Sequence, residues 1–302
     1  MSAADVLPPR PPAAPLSPWR GALRRVRRSR LAMVGLGIIV LLAACAVFAP
    51  WLSVQHPDAD GIWSAVMRES KQPPSLRHWM GTDKLGRDVA SRVVYGARTS
   101  LLIGVTSVSL AIAVGTALGA VAGFFGRWTD GVIMRLMDVM LAFPSLLLAL
   151  GIVSLTGPRL INAMLAVGIV SIPTYARIVR ASVLAESGKD YVAASRALGA
   201  GPWRLLVRHV MPNALAPLIV AASLGIGTAI LEAAGLGFLG LGAQPPLAEW
   251  GLMLADNRQS LSAYWWLVTF PGVAIMLTVL GFNLLGDGLR DILDPRLRGG
   301  RR

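Results

Sequence analysis

The sequence predicts an all-α, polytopic membrane protein with six transmembrane helices and a cytoplasmic loop. Three observations predict it. The chain of 302 residues is 54% hydrophobic with only 15% charged residues, at a mean hydropathy of +0.59. That leaves too little polar surface to cover a soluble globule of this size. Six apolar runs, near residues 31–50, 100–124, 132–155, 160–178, 214–239 and 266–285, each reach the roughly 20 residues needed to cross a hydrocarbon core of about 30 Å. Finally, the net charge of +13 is unevenly placed, with Arg24, Arg25, Arg27, Arg28 and Arg30 set directly against the first run. That marks a cytoplasmic flank rather than a nucleic-acid surface.

Residues 1–30 are rich in Pro and Ala and read as a flexible basic cytoplasmic tail. Residues 31–50 form the first span. This run starts 30 residues in and is about 20 long, which argues against a removed signal peptide. It holds Cys45, the only cysteine, so no internal disulfide can form. Residues 51–97 become an external loop, its basic residues nearly balanced by Asp58, Asp60, Glu69, Asp83 and Asp88. Within it, Thr82 and Asp83 suit a turn, Asp88 suits a helix cap, and Arg87 or Arg92 suits pairing with the acids. Trp63, Trp79, Trp265 and Trp266 stand beside spans, where Trp ordinarily anchors at the membrane interface.

Residues 98–290 carry the other five spans. In the second run Gly115, Gly119 and Gly123 recur every four residues, baring one helix face to a close neighbour. Asp138 in the third run is read as a structural partner, with Arg135 nearby. Pro144, Pro173, Pro217 and Pro271 fall inside spans and favour kinks. Glu232, late in the Gly-rich fifth run, is a candidate pathway-lining carboxylate for a cationic group such as a peptide amine. Residues 291–302 form a basic tail, and six crossings return it to the cytoplasmic side.

Several chemistries lack their residues. Around Lys189 a phosphate loop fails, because Val183 replaces the first Gly and Asp190 the hydroxyl, so 186–190 reads as a turn. His56, His78 and His209 are scattered without ligand spacing, and no G-x-S-x-G elbow occurs.

The most informative segment is 190–212, DYVAASRALGAGPWRLLVRHVMP. Its Ala-rich helix has too narrow an apolar face to be a core element and suits a partner's groove. Here the chain resembles the permease subunits of ABC importers, whose EAA loop runs Glu-Ala-Ala, three residues, Gly, and later a hydrophobic-Leu-Pro ending. Ala194, Gly199, Val210, Met211 and Pro212 match, whereas Ala193 stands where the family carries Glu and Ser195 replaces the second Ala. Residues 78–98, 138–148 and 271–296 resemble dipeptide, oligopeptide and nickel importer permeases, the last looking most like the C-type subunit.

The resemblance implies a type I importer permease fold in a prokaryotic plasma (inner) membrane. It also implies a non-catalytic subunit that binds no cofactor itself. Expected partners are a second permease, two ATP-binding subunits that carry ATP-Mg, an external solute-binding protein and the lipid bilayer, with no nucleic acid. The coupling loop is 186–213, and Asp190, Tyr191, Ala193, Ala194, Arg196, Gly199 and Pro212 are its candidate contacts. Asp190 or Arg196 would supply the polar contact missing at Ala193. Dipeptides or oligopeptides are the implied cargo, with nickel or another small solute as the alternative. A gradient-driven secondary transporter, an integral-membrane enzyme and a simple scaffold are the rivals from other classes. The first would need more intramembrane ionisable residues and a hydropathy repeat, and the second a cluster of acids, bases or ligands.

Overall fold

The computed structural model describes residues 29–58, 63–260 and 262–293. The tail before residue 29 and most of that after 291 lie outside the described residues. Among the described residues the longer helices are α1 (Arg30–Val47), α2 (Val89–Phe125), α3 (Arg127–Leu141), α4 (Ser145–Thr156), α5 (Leu160–Ser187), α6 (Asp190–Ala197), α7 (Ala216–Phe238), α8 (Trp250–Asn257) and α9 (Trp266–Leu293). Among the described residues there is no strand, only two isolated bridges. Among the described residues five helices, α1, α2, α5, α7 and α9, are long and apolar enough to cross a membrane, and α3 with α4 makes a sixth only as a bent pair.

That bent pair departs from the single straight span expected at 132–155. α3 and α4 meet at 90°. The break has a covalent cause: Pro144 takes φ −55° and ψ 131°, lacks an amide hydrogen, and disfavours helix at the residue before it. The other prolines divide. Pro173 and Pro271 stand inside α5 and α9, while Pro217 begins α7, where its missing donor costs nothing.

The centre of the bundle is α2 against α5. A side-chain carbon added at Gly119 would sit 2.3 Å from the Ala176 carbonyl oxygen, and one at Gly123 would sit 2.8 Å from that of Arg180. The glycine face therefore faces α5, and the two backbones touch. Ser107 of α2 donates to the Met164 carbonyl at 2.8 Å, adding a polar tie along the same seam. α7 and α1 flank α9, with Gly227 against Val279 and Gly35 against the backbone of Leu285. α8 tucks between α7 and α2, where buried Trp250 donates to the Val93 carbonyl at 2.9 Å.

Asp88 caps α2, accepting from the Ser91 amide and hydroxyl at 2.7 Å each. Next to it the Asp83 carboxylate holds Arg87 Nε at 2.7 Å and Arg92 Nη1 at 2.8 Å, and all three groups are buried. The segment before α2 is thereby clamped to its first turns. Tryptophan placement differs from the interfacial expectation. Trp79 and Trp265 are exposed, but Trp63 and Trp266 are buried, Trp63 edge-on to Tyr95 and Trp266 donating to the Thr82 carbonyl at 3.4 Å. They pack the cap instead of touching lipid.

Candidate functional site

α6 lies beyond the far end of α2 from this cap, and its limits follow from local chemistry. Asp190 in the first turn and Arg196 in the last complement the helix dipole. Gly199 ends it with φ +83°. The Gly199 amide donates to the Arg196 carbonyl at 3.0 Å and the Ala200 amide to that of Ser195 at 3.1 Å. These two bonds are the Schellman arrangement, which needs a left-handed residue where glycine stands.

The loop is rooted by few side chains. Val192, Leu205, Leu206 and Val210 are buried in the core shared with α2 and α5. Leu205–Val210 is wound as a π-helical turn, and Pro212 opens the short turn Met211–Ala214 that leads to α7. Trp203 stacks edge-on against Phe125 at the end of α2, with ring centres 5.2 Å apart. Around this root the other face is bare: Asp190, Ala193, Ala194, Arg196, Gly199 and Pro212 are exposed, and Leu198 is 89% exposed.

Polar contacts fix the angle between α5 and α6. Buried Glu186 accepts the Tyr191 hydroxyl at 2.7 Å and pairs with Lys189 Nζ at 2.6 Å. Asn213 Nδ2 donates to the His209 carbonyl at 2.9 Å and reaches the Tyr191 oxygen at 3.3 Å. Burial first, then the hydrogen bond to Glu186, holds the Tyr191 phenol above its ordinary pKa. Tyr191 therefore keeps its proton at neutral pH and stays a donor. Behind this knot lies a cavity of about 600 Å³ lined by Ile178, Glu186, Asn213, Pro217, Leu224 and Arg290.

Sequence reasoning placed α6 and its glycine stop but missed Glu186 and Asn213. The buried carboxylate at this loop comes from the last turn of α5, seven positions before Ala193, while Asp190 of α6 itself stays exposed. Its only sequence signal is an acid in the turn that precedes the Ala-rich helix. Glu232 is not brought to this loop. It sits about 24 Å along α7 from Ala216 and is partly buried. Asp138 pairs with Arg177 of α5 at 2.6 Å, not with Arg135 of its own helix. Arg135 and Asp138 are near enough on α3 to pair, but the carboxylate is taken by Arg177 of the neighbouring α5.

Residues 115–299 match the family model described as binding-protein-dependent transport system inner membrane component. Residues 17–74 match the N-terminal TM domain of oligopeptide transport permease C. The chain is 48% identical over 291 residues to the dipeptide transport system permease protein DppC of Alkalihalophilus pseudofirmus, covering 96% of this chain and 94% of that one. It is 50% identical to the protein of the same name from Escherichia coli K12, covering 94% and 95%. It is also 46% identical to the probable D,D-dipeptide transport system permease protein DdpC of that strain, covering 91% and 90%. Its fold matches a chain of the MetNI methionine ABC transporter, solved in inward-facing form, with a TM-score of 0.56 at 18% identity, covering 67% of this chain and 96% of that one. With its bent third span, close-packed α2–α5 pair and surface-mounted α6, the chain belongs to the family of binding-protein-dependent transport system inner membrane components, the multi-pass permeases of ABC importers.

Proposed function

We propose that this chain is one of two permeases lining the pathway of an ATP-driven importer of dipeptides or oligopeptides, and that α6 is its coupling helix. The observation that carries the reading is the two-sided build of the loop, rooted in the core by Val192 and Leu205 while Ala193, Ala194, Arg196 and Leu198 stand free. Such a knob transmits force only to a body that grips it. The names of the similar permeases support a peptide cargo.

In this reading two ATP-binding subunits hold ATP-Mg and hydrolyse it at the cytoplasmic face, a second permease completes the path, and an external solute-binding protein delivers the solute. This chain binds no cofactor. Residues 1–30 and 291–302 are cytoplasmic tails, 31–50 the first span, 51–97 the external loop, and 98–290 the core with its coupling loop at 186–213. The membrane is a prokaryotic inner membrane with both termini inside. Inverting a gate from 1:99 to 99:1 takes about 5.5 kcal/mol, more than this small loop supplies alone. Motion of the gripped α6 would tilt α5 through Glu186–Tyr191 and α7 through Pro212 together. Glu232 is a pathway-side carboxylate in the same scheme.

Copurification from mild detergent, mass spectrometry and an ATPase assay test this. Recovery with a second permease and ATP-binding subunits, abolished by deleting 190–212, is expected. Recovery as a lone chain that the deletion does not alter would overturn it in favour of a gradient-driven transporter or scaffold.

A further inference from the structure

The Asp138–Arg177 pair is unusual in its exposure. The two side chains are 52% and 50% exposed, although both belong to helices of the membrane bundle. Charge turned toward lipid is costly, so this face meets water or protein. Nor is the pair needed to bind α3 to α5. Asp130 and Arg180 already do so one turn along α5, through two parallel bonds and with less exposure. By contrast, among the described residues Arg177 meets Asp138 through one Nη2 hydrogen only.

The α5 side of the pair is polar and small, whereas on α3 the exposed neighbours of Asp138 include Leu136, Val139 and Leu141. On α5, Ser171, Thr174 and Ala181 lie six and three positions before Arg177 and four after it, on one side of the helix, and none is buried. α7 carries Ala221, Gly225, Thr228 and Glu232 along one side; Thr228 is exposed, the other three are partly buried, and Gly225 lies against the Tyr175 hydroxyl of α5. The exposed side of α1 instead bears Val34, Val40, Leu41 and Val47, as a lipid-facing helix should.

We propose that Arg177 and Asp138 form a substrate station on the wall of the path, where a zwitterionic peptide exchanges with the resident pair. The guanidinium fork of Arg177 takes the terminal carboxylate, whose planar geometry it matches, and Asp138 takes the terminal ammonium. A half-exposed, single-bonded pair is held weakly enough to exchange. Because one ion pair is replaced by two of the same charge balance, no charge is left bare in the wall. The station rests on the peptide-importer reading above.

The test uses the assembled complex of permeases and ATP-binding subunits in lipid nanodiscs, without external binding protein. The Thr174→Cys variant, in a Cys45→Ser background, is treated with a charged thiosulfonate reagent. We expect labelling, slowed several-fold by millimolar Ala-Ala but not by its N-acetylated, C-amidated form. Protection should vanish in Arg177→Gln and persist in part in Arg177→Lys, with both complexes still assembled. No labelling, equal protection by both compounds, or protection that survives Arg177→Gln would each overturn the station. Uptake of Ala-Ala by the unmodified complex in sealed liposomes, with binding protein supplied, separates the two readings. Uptake without protection sinks the station alone, and absence of uptake sinks the importer reading with it.

Discussion

Tyr191 donates its hydroxyl to Glu186 across 2.7 Å, and that single bond spans the turn between α5 and α6. Glu186 is buried, so the bond sets the angle at which the exposed helix leaves the bundle. Removing the donor in Tyr191→Phe should loosen the joint by about 1 kcal/mol, because Lys189 still satisfies part of the carboxylate. Hydrogen exchange of the α6 amides should quicken while that of α2 stays unchanged. Equal protection in both proteins would show that the bond does not hold α6. The sign with pH follows from the raised phenol: the contribution is complete below the ordinary value of 10.0 and is lost as pH rises through the higher folded value. α6 protection, corrected for intrinsic exchange, should therefore be flat around neutrality.

Gly199→Val should fray the last turn of α6. A side chain at this glycine meets nothing within 4 Å, so the cost is conformational, about 1–3 kcal/mol for a β-branched residue at φ +83°. Membrane insertion should be normal and transport-linked ATP hydrolysis should fall. Gly201→Ala is the control, since its φ of −67° suits alanine and its surroundings are equally open. Normal transport by Gly199→Val would remove α6 from the coupling route.

Gly119→Leu should force α2 from α5, since its first side-chain carbon already collides with the Ala176 carbonyl at 2.3 Å. Overpacking of this kind costs about 1–3 kcal/mol or more. Thermal unfolding in detergent, followed by size-exclusion chromatography, should shift clearly downward. Gly37→Ala on α1, with no atom within 4 Å, should not shift it. Matching curves for both variants would mean that the two backbones are not in contact.

Asp83→Asn should release the cap before α2. Arg87 and Arg92 would remain buried without their shared counter-charge, a loss of about 3–5 kcal/mol. Limited trypsin digestion should then cut between Lys71 and Arg92, where the parent resists. Unaltered resistance would show that the cluster is dispensable.

Local chemistry was legible in the sequence, and long-range pairing was not. The stop of α6 at Gly199 and the cap of α2 by Asp88 follow from residue types at fixed short spacing. The glycine stripe announced a close contact but could not name α5 as the partner, because nothing in a repeat of small residues identifies the surface it meets. Asp138 found Arg177, 39 positions away, across a contact between α3 and α5 that only the fold creates. Trp63 and Trp266 were hidden for the same reason, their burial depending on a cap that closes only after α2 and α9 are side by side.

α2 contains no proline and runs unbroken for 37 residues, about 55 Å, well beyond a hydrocarbon core of about 30 Å. Its first turns carry the Asp83 clamp and its last residue touches Trp203. It is thus a rigid strut, with one foot in each compartment that the bilayer separates. A push on the cap at one end has no hinge in which to dissipate, and it arrives at the root of the loop at the other as displacement of the whole rod.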